Sequence, residues 1–421
     1  MSMTHRIVVS VGALVIAGAA GAGVVGPPIP IWVAPETTRN PAVAFNPQHE
    51  EFLVVWENEQ GPSTTDVYAR RIAIDGTPRS WFAVKSAAGE YHGEPTVAAN
   101  PLRDEYLVCW TANAAMDAEI ACSPVAWDGS SIGPPGLVVS DVDTQWWPRV
   151  IHNPHHDEYV LVHTNFWTGG TSDVAATRIA GDGTVLSRAV IATGATPNDT
   201  RMFADIAFNA DLDEYMFIYV YGDPATLSMV RAKIAPADLA GVSVAPELDL
   251  CPFDLAYKPV ASWGSEGYLA VWWAAYLSPD WLVSARHVTD AGVPLGPPGG
   301  FPISEPAVNV LPATGRIQAA TWAPAVGHVV AYLTFVLTGG VADISARVVS
   351  PSAERLLGPQ LTVADGTPMQ LTPALACAPW GVCLVAYEED GDIVARILRF
   401  HAFADGFDET GDTSYWSAVV P

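Results

Sequence analysis

The chain has 421 residues, half of them hydrophobic and only 15% charged, with a formal net charge of −25. A chain this acidic argues against nucleic acid or anionic lipid as a partner, because both call for clustered Lys and Arg. Calcium is compatible with the charge, but no residue pattern specifies a cofactor.

In chain order, Arg6 precedes an apolar run from Ile7. Small residues follow at Ala17-Gly18-Ala19 and Ala20-Gly21-Ala22. A charged start, an apolar centre and an A-x-A end read as a secretory signal peptide over residues 1–22. An uncleaved anchor is the alternative, because the apolar run continues to about Gly26 and is nearly long enough to span a bilayer. No Cys follows the small residues, which argues against a lipoprotein. The segment Ile29–Ala34 is apolar and strand-like.

From Pro41 onward one unit recurs. It opens as Pro-x-Val-Ala-x-Asn-Pro, turns, and continues as a short apolar run ending in an aromatic residue. Such a run bounded by turn residues reads as a buried strand. Pro95 to Trp110 is its clearest copy. The units start at residues 41, 95, 148, 204, 259, 317 and 373. Third strands of the form Asp-Val/Ile-x-Ala-Arg follow at Asp66, Asp343 and Asp392, with weaker versions at Asp173 and Val283. A period near 50 residues with four strands per unit and no helical periodicity predicts a β-propeller. The expected fold is all-β, seven blades of four antiparallel strands over residues 29–400. The last unit lacks its fourth strand, so Ile29–Ala34 is expected to supply it and close the ring. Residues 401–421 form an acidic tail.

Cys109 and Cys122 fall on neighbouring strands of the second unit, and Cys377 and Cys383 flank a tight turn in the seventh. Adjacent antiparallel strands bring Cβ atoms within disulfide reach. With an export signal, two disulfides are expected; free buried thiols are the alternative. Cys251 has no evident partner.

Propeller sites usually form on the face shared by the loops that enter first strands and those that join second to third strands. Here those loops carry Tyr91, His92, Trp146, Trp147, Trp167, Arg201, Lys258, Trp281 and Arg316. Aromatic rings among a few cations suit a sugar, because a ring can stack on the apolar face of a pyranose; packing beneath long loops would place some of these rings too. The cluster His155-His156-Asp157-Glu158 has zinc-like residues, but it aligns with the first turn of other units, where polar residues are local necessities. No metal site is therefore expected. The recurrent pairs Asp66/Arg70, Asp343/Arg347 and Asp392/Arg396 repeat too often to be catalytic. Four residues apart on a strand they share a face, which suits anchoring of loops or neighbouring blades.

The unit Pro-x-Val-Ala-x-Asn-Pro-x-x-Asp-Glu-Tyr-Leu-Val-Val-Trp with Asp-Ile-x-Ala-Arg resembles the blades of bacterial secreted β-propeller proteins. The tail from Asp405 to Ser417 is similar to a D-G-F-E-S-G-D-T-S-A-W-S end found on many exported bacterial proteins; Asp408-Glu409-Thr410 departs from it. These resemblances imply architecture and export, with the tail as a sorting or processing element or simply an acidic end. The sequence is read as a secreted or cell-surface binding module, a monomer, whose partner is a glycan or another surface protein. The alternative is a polysaccharide-active enzyme, a lyase or glycosidase, with its site on the same face.

Overall fold

The computed structural model describes residues 22–33, 35–61, 64–113, 118–140, 143–167, 170–194, 200–222, 228–253, 256–274, 280–305, 307–308, 318–336, 341–352 and 356–400. Seven antiparallel sheets follow one another around a ring, each normally four strands deep. The fold is a seven-bladed β-propeller. The innermost strands are Thr37–Asn46, His92–Asn100, Thr144–Asn153, Arg201–Asn209, Ala256–Gly264, Gln318–Ala323 and Gln370–Cys377. In the fifth blade, Phe301–Pro302 and Ala307–Val308 share the outermost place, pairing with different parts of Asp280–Val288. Among the described residues no α-helix occurs, and no helix is long and apolar enough to cross a membrane.

Second strands lie mid-blade with a neighbouring blade on each face. They are therefore continuous apolar runs rather than alternating ones. Gly267–Ala274 is buried at every residue. The aromatic that ends each run, such as Trp56, Trp110, Tyr219, Trp272, Tyr332 or Tyr387, is fully buried between blades. His163 takes that place in the third blade, and burial pushes its imidazole down to about 3. Outermost strands such as Val185–Ala192 are largely exposed.

The ring closes through the N-terminal segment. Ala22–Trp32 pairs antiparallel with Asp392–Phe400, placing Ile29 opposite Ala395 and Trp32 opposite Ile393. The closing strand is longer than the sequence suggested. The expected signal segment and the acidic tail lie outside the described residues, apart from Ala22.

The repeat's polar letters join the blades. Asn46, Asn100, Asn153 and Asn209 each accept, through Oδ1, the N–H two residues on. This is the Asx turn that makes Asn useful there. Asn100 and Asn153 also donate through Nδ2 to Asp157 and Asp213 of the next blade, at 2.9 and 3.2 Å. His49–Asp104, Arg103–Asp157 and His156–Asp213 bridge the same seams at 2.6, 2.7 and 2.6 Å. His155 and His156 thus flank an aspartate as seam residues. Asp66, Asp173 and Asp343 accept backbone N–H groups of the loop beyond their fourth strand. Arg70 and Arg347 donate to the backbone oxygens of Ile31 and Ile303 in the preceding blade, each at 2.8 Å. The recurrent Asp and Arg are structural.

Two disulfides are present, Cys109–Cys122 and Cys377–Cys383, each with Cα atoms 4.0 Å apart. Cys251 is a buried thiol, pushed up to about 11 by that burial.

Candidate functional site

All seven innermost strands contribute to a central cavity of about 300 Å³. Six of the seven innermost strands slip register at one place. The shifts fall between Arg39 and Ala42, Gly93 and Thr96, Trp146 and Arg149, Met202 and Asp205, Tyr257 and Val260, and Leu371 and Ala374. The repeat's Pro sits inside most of these bulges, where its missing N–H costs no ladder bond. The residue before it is left-handed in six blades: Asn40, Glu94, Trp147, Phe203, Lys258 and Thr372, with φ between 46° and 58°. The corresponding part of the sixth blade, including Arg316, lies outside the described residues.

On one side this ring is acidic. Glu388 Oε1 accepts the Asn40 N–H at 2.8 Å, Glu57 Oε2 accepts the Glu94 N–H at 2.8 Å, and Glu94 Oε2 accepts the Trp147 N–H at 3.1 Å. Each carboxylate thus holds the bulge of the following blade. Glu57 Oε1 also takes a bond from Asn40 Nδ2 at 2.9 Å, and Thr372 Oγ1 donates to Glu388. Burial pushes Glu57 up to about 7, and the nearby Glu94 and Glu388 charges add to the shift. Glu94 and Glu388 are likewise raised by burial. Tyr91 reaches this group: a Cβ on Gly93 would strike both its hydroxyl and Glu57 Oε2. Burial raises the Tyr91 phenol, with Glu57 and Glu94 adding to it.

The other side is aromatic and cationic. Trp147 and Phe203 meet with ring centroids 4.1 Å apart, and Lys258 Nζ lies 5.9 Å from the Phe203 centroid. Burial pushes Lys258 down to about 8, assisted by the Arg149 charge. Arg149 lines the cavity itself, as does Asp205 on the next blade. Glu94, Arg149 and Lys258 are each half-buried, and Arg149 lines the cavity.

The residues picked out in the sequence divide. Tyr91 and Trp146 come together, centroids 6.1 Å apart, and Trp147 and Lys258 stand on the bulge ring. His92 and Arg201 do not reach it. They occupy the register place of Thr38, Gln145 and Gln370, which is buried in every one of these blades. His92 Nδ1 lies 3.1 Å from the Thr65 carbonyl and Nε2 3.1 Å from Glu90. Arg201 stacks its guanidinium 3.9 Å from the Tyr221 ring centroid, beside Glu247. Trp167 is 38% exposed on the loop joining the second and third strands of its blade. Trp281 lies on the strand Asp280–Val288, but its side chain is outside the described residues. Glu57, Glu94, Arg149, Asp205 and Glu388 escaped sequence reading. Their signal was that they break the repeat: Arg149 and Asp205 stand where other blades have Ala42, Thr96 or Val260. Among the described residues no group of three or more His, Cys, Asp or Glu is arranged to hold a metal ion.

No family model and no curated protein matches the chain. Solved structures resemble it in fold. A Hadza microbial sialidase has a TM-score of 0.52 at 11% identity, covering 87% of this chain; the chain spans 66% of that sialidase. The α-L-arabinofuranosidase of Fusarium graminearum, with an iminosugar inhibitor, gives 0.52 at 11% identity over 91% of this chain and 98% of its own. The Penicillium chrysogenum α-L-arabinanase complexed with arabinobiose gives 0.50 at 12% identity over 88% and 97%. Several neighbours are thus glycoside-hydrolase propellers, alike in architecture.

Proposed function

We propose that the protein recognises glycans at the mouth of its channel and works outside the cell. The observation that carries this is the left-handed ring. A non-glycine residue there costs roughly 1 kcal/mol or more, and for a bulky side chain left-handed backbone is a true outlier. Asn40 fits such a site for local reasons; Trp147, Phe203 and Lys258 do not. A fold that only needed the bulge would favour Gly or Asn, so the strain supports a use for these side chains. Aromatic rings beside hydrogen-bonding and charged groups suit a sugar's mixed faces. The glycoside-hydrolase neighbours and the two disulfides agree with a glycan-directed, exported protein.

A glycan array probed with the full chain tests it. Binding that Trp147→Ala weakens by about 10-fold or more, in line with a well-packed aromatic anchor, is expected. Absence of glycan binding, or binding indifferent to Trp147, would refute it. Intact-mass measurement of protein from the native host tests export: Met1 retained would favour an anchor.

Turnover of the bound glycan is a second reading, favoured by Glu57. A carboxyl near 7 is still about half protonated in neutral water, as a general acid requires, and Glu94 is a second carboxyl group beside it, glycoside hydrolysis using a pair. New reducing ends without ultraviolet absorbance would mark hydrolysis; absorbance from an unsaturated product would mark a lyase. Glu57→Gln should abolish either. Binding without turnover leaves recognition alone.

A further inference from the structure

We propose that the glycan taken at the channel mouth carries a carboxylate, and that Arg149 and Lys258 receive it. This rests on the glycan reading above and narrows it to sugar acids.

The argument begins with scarcity. The chain has 20 Lys and Arg against 45 Asp and Glu, yet Arg149 lines the cavity and Lys258 stands on the bulge ring. Arg149 lines the cavity at a register place that other blades fill with Ala42, Thr96 or Val260. Lys258 approaches from two blades away, on a left-handed residue. The two are close enough for the Arg149 charge to disfavour the protonated Lys258.

Neighbouring acids answer Arg149 only in part. Asp205 and Glu94 are the carboxylates whose charges favour the Arg149 cation. Asp205 commits Oδ2 to the Ala261 N–H at 3.0 Å, and Glu94 commits Oε2 to the Trp147 N–H and the Thr111 hydroxyl. These acids hold the blades. Arg149 donates Nη1 to the Pro148 carbonyl at 2.7 Å, and among the described residues no carboxylate makes an ion pair with it. A guanidinium is a planar fork of donors that matches a carboxylate. An enclosed, channel-facing cation without a close counter-ion is stabilised when an anion arrives. Lys258 adds a point charge beside it. The Trp147–Phe203 pair next to Lys258 offers apolar surface to the ring that bears the carboxylate.

The test is a glycan array that carries each acidic backbone twice, once with its sugar acids free and once as methyl esters, probed with the full-length protein. The expected result is preference for the free acids, with Arg149→Gln and Lys258→Met each weakening it about 10-fold or more, the scale of one charge-assisted bond. Near-ultraviolet circular dichroism checks the fold, and Lys258→Met keeps the test decisive should Arg149→Gln not fold. Esters bound as tightly as acids, or acid binding untouched by the variants, overturns the assignment while glycan recognition stands. No binding to either form removes both readings.

Discussion

At the scale of single residues, the channel mouth holds ionisable groups away from their usual states, and this has a sign that can be measured. Glu57 has a folded value of about 7 against an ordinary 4.5. Its protonated form is the one the fold favours. Stability from this group is therefore complete below about pH 4.5 and is lost as pH rises to about 7; the full difference corresponds to about 3 kcal/mol. Glu57→Gln removes the titration, less about 1 kcal/mol for an amide donor facing the donors Asn40 and Glu94. Thermal melts should show the variant no more stable than the parent at pH 4.5 and more stable at pH 8. Equal offsets at both would count against a buried neutral carboxyl. Lys258 runs the other way, with about 8 against 10.5. Its cost is full below about pH 8 and fades as pH rises through 10.5, so Lys258→Met should gain stability at pH 7 but much less at pH 10.5. None of this was legible in the sequence. Glu57 follows Trp56, as Glu388 follows Tyr387, as an ordinary polar end to a strand, and only the aligned Thr111, Thr164, Val220 and Trp273 show that these two carboxylates depart from the other blades. His92 and Arg201 drew attention by residue type, while register, which a bulge resets, turned them into the seam.

At the scale of elements, the bulge gives a test that reverses an ordinary rule. In a regular strand Gly is worse than Ala by roughly 0.5–1 kcal/mol. At a left-handed residue the Cβ itself is penalised by about 1 kcal/mol or more. Trp147 has φ 58°. Trp147→Gly should therefore be more stable than Trp147→Ala by about 1 kcal/mol, although both lose the contacts with Phe203 and Phe166. Denaturant titrations of the two variants decide it, and Ala above Gly would mean that the bulge relaxes. The hairpin disulfides act on the same scale. Cys109–Cys122 and Cys377–Cys383 span 13 and 6 residues. Closing loops this short removes about 2–3 kcal/mol of unfolded-state entropy each in the chain-entropy treatment. Reduction should lower the melting temperature without altering the strand content seen by circular dichroism. The strands, their order and both disulfide pairs were readable, because each is a local pattern. Which residue turns left-handed was not, since the repeat there shows Asn, Glu, Trp, Phe, Lys and Thr with nothing in common.

For the whole molecule, closure is the decisive interaction, and one segment supplies it. Without Ala22–Trp32 the strand Asp392–Phe400 becomes an open edge. Ile31 is fully buried, and Trp32 packs against Trp56, Tyr68 and Trp81 with centroids 5.7, 5.5 and 4.8 Å away. Those side chains alone account for about 3–6 kcal/mol of burial, a large share of the 5–15 kcal/mol typical of a folded protein. Arg70, which donates to Ile31 O, and Arg396, which donates to Gly26 O, lose their acceptors together. The count of seven blades was readable because the repeat was written seven times, and so was the need for an extra strand, because the seventh unit stopped short. The length of the closing strand was hidden by apolar residues that read equally well as a signal. A chain starting at residue 33 should lose about 5 kcal/mol or more. Its exposed edge should also pair with other copies, since an uncovered strand is a template for association. Size-exclusion chromatography coupled to light scattering would then show dimers or larger species, and adding a synthetic peptide of residues 22–32 in excess should restore the monomer and raise the melting temperature. A truncated chain that stays monomeric and melts where the full chain does would show that seven blades close without their N-terminal strand.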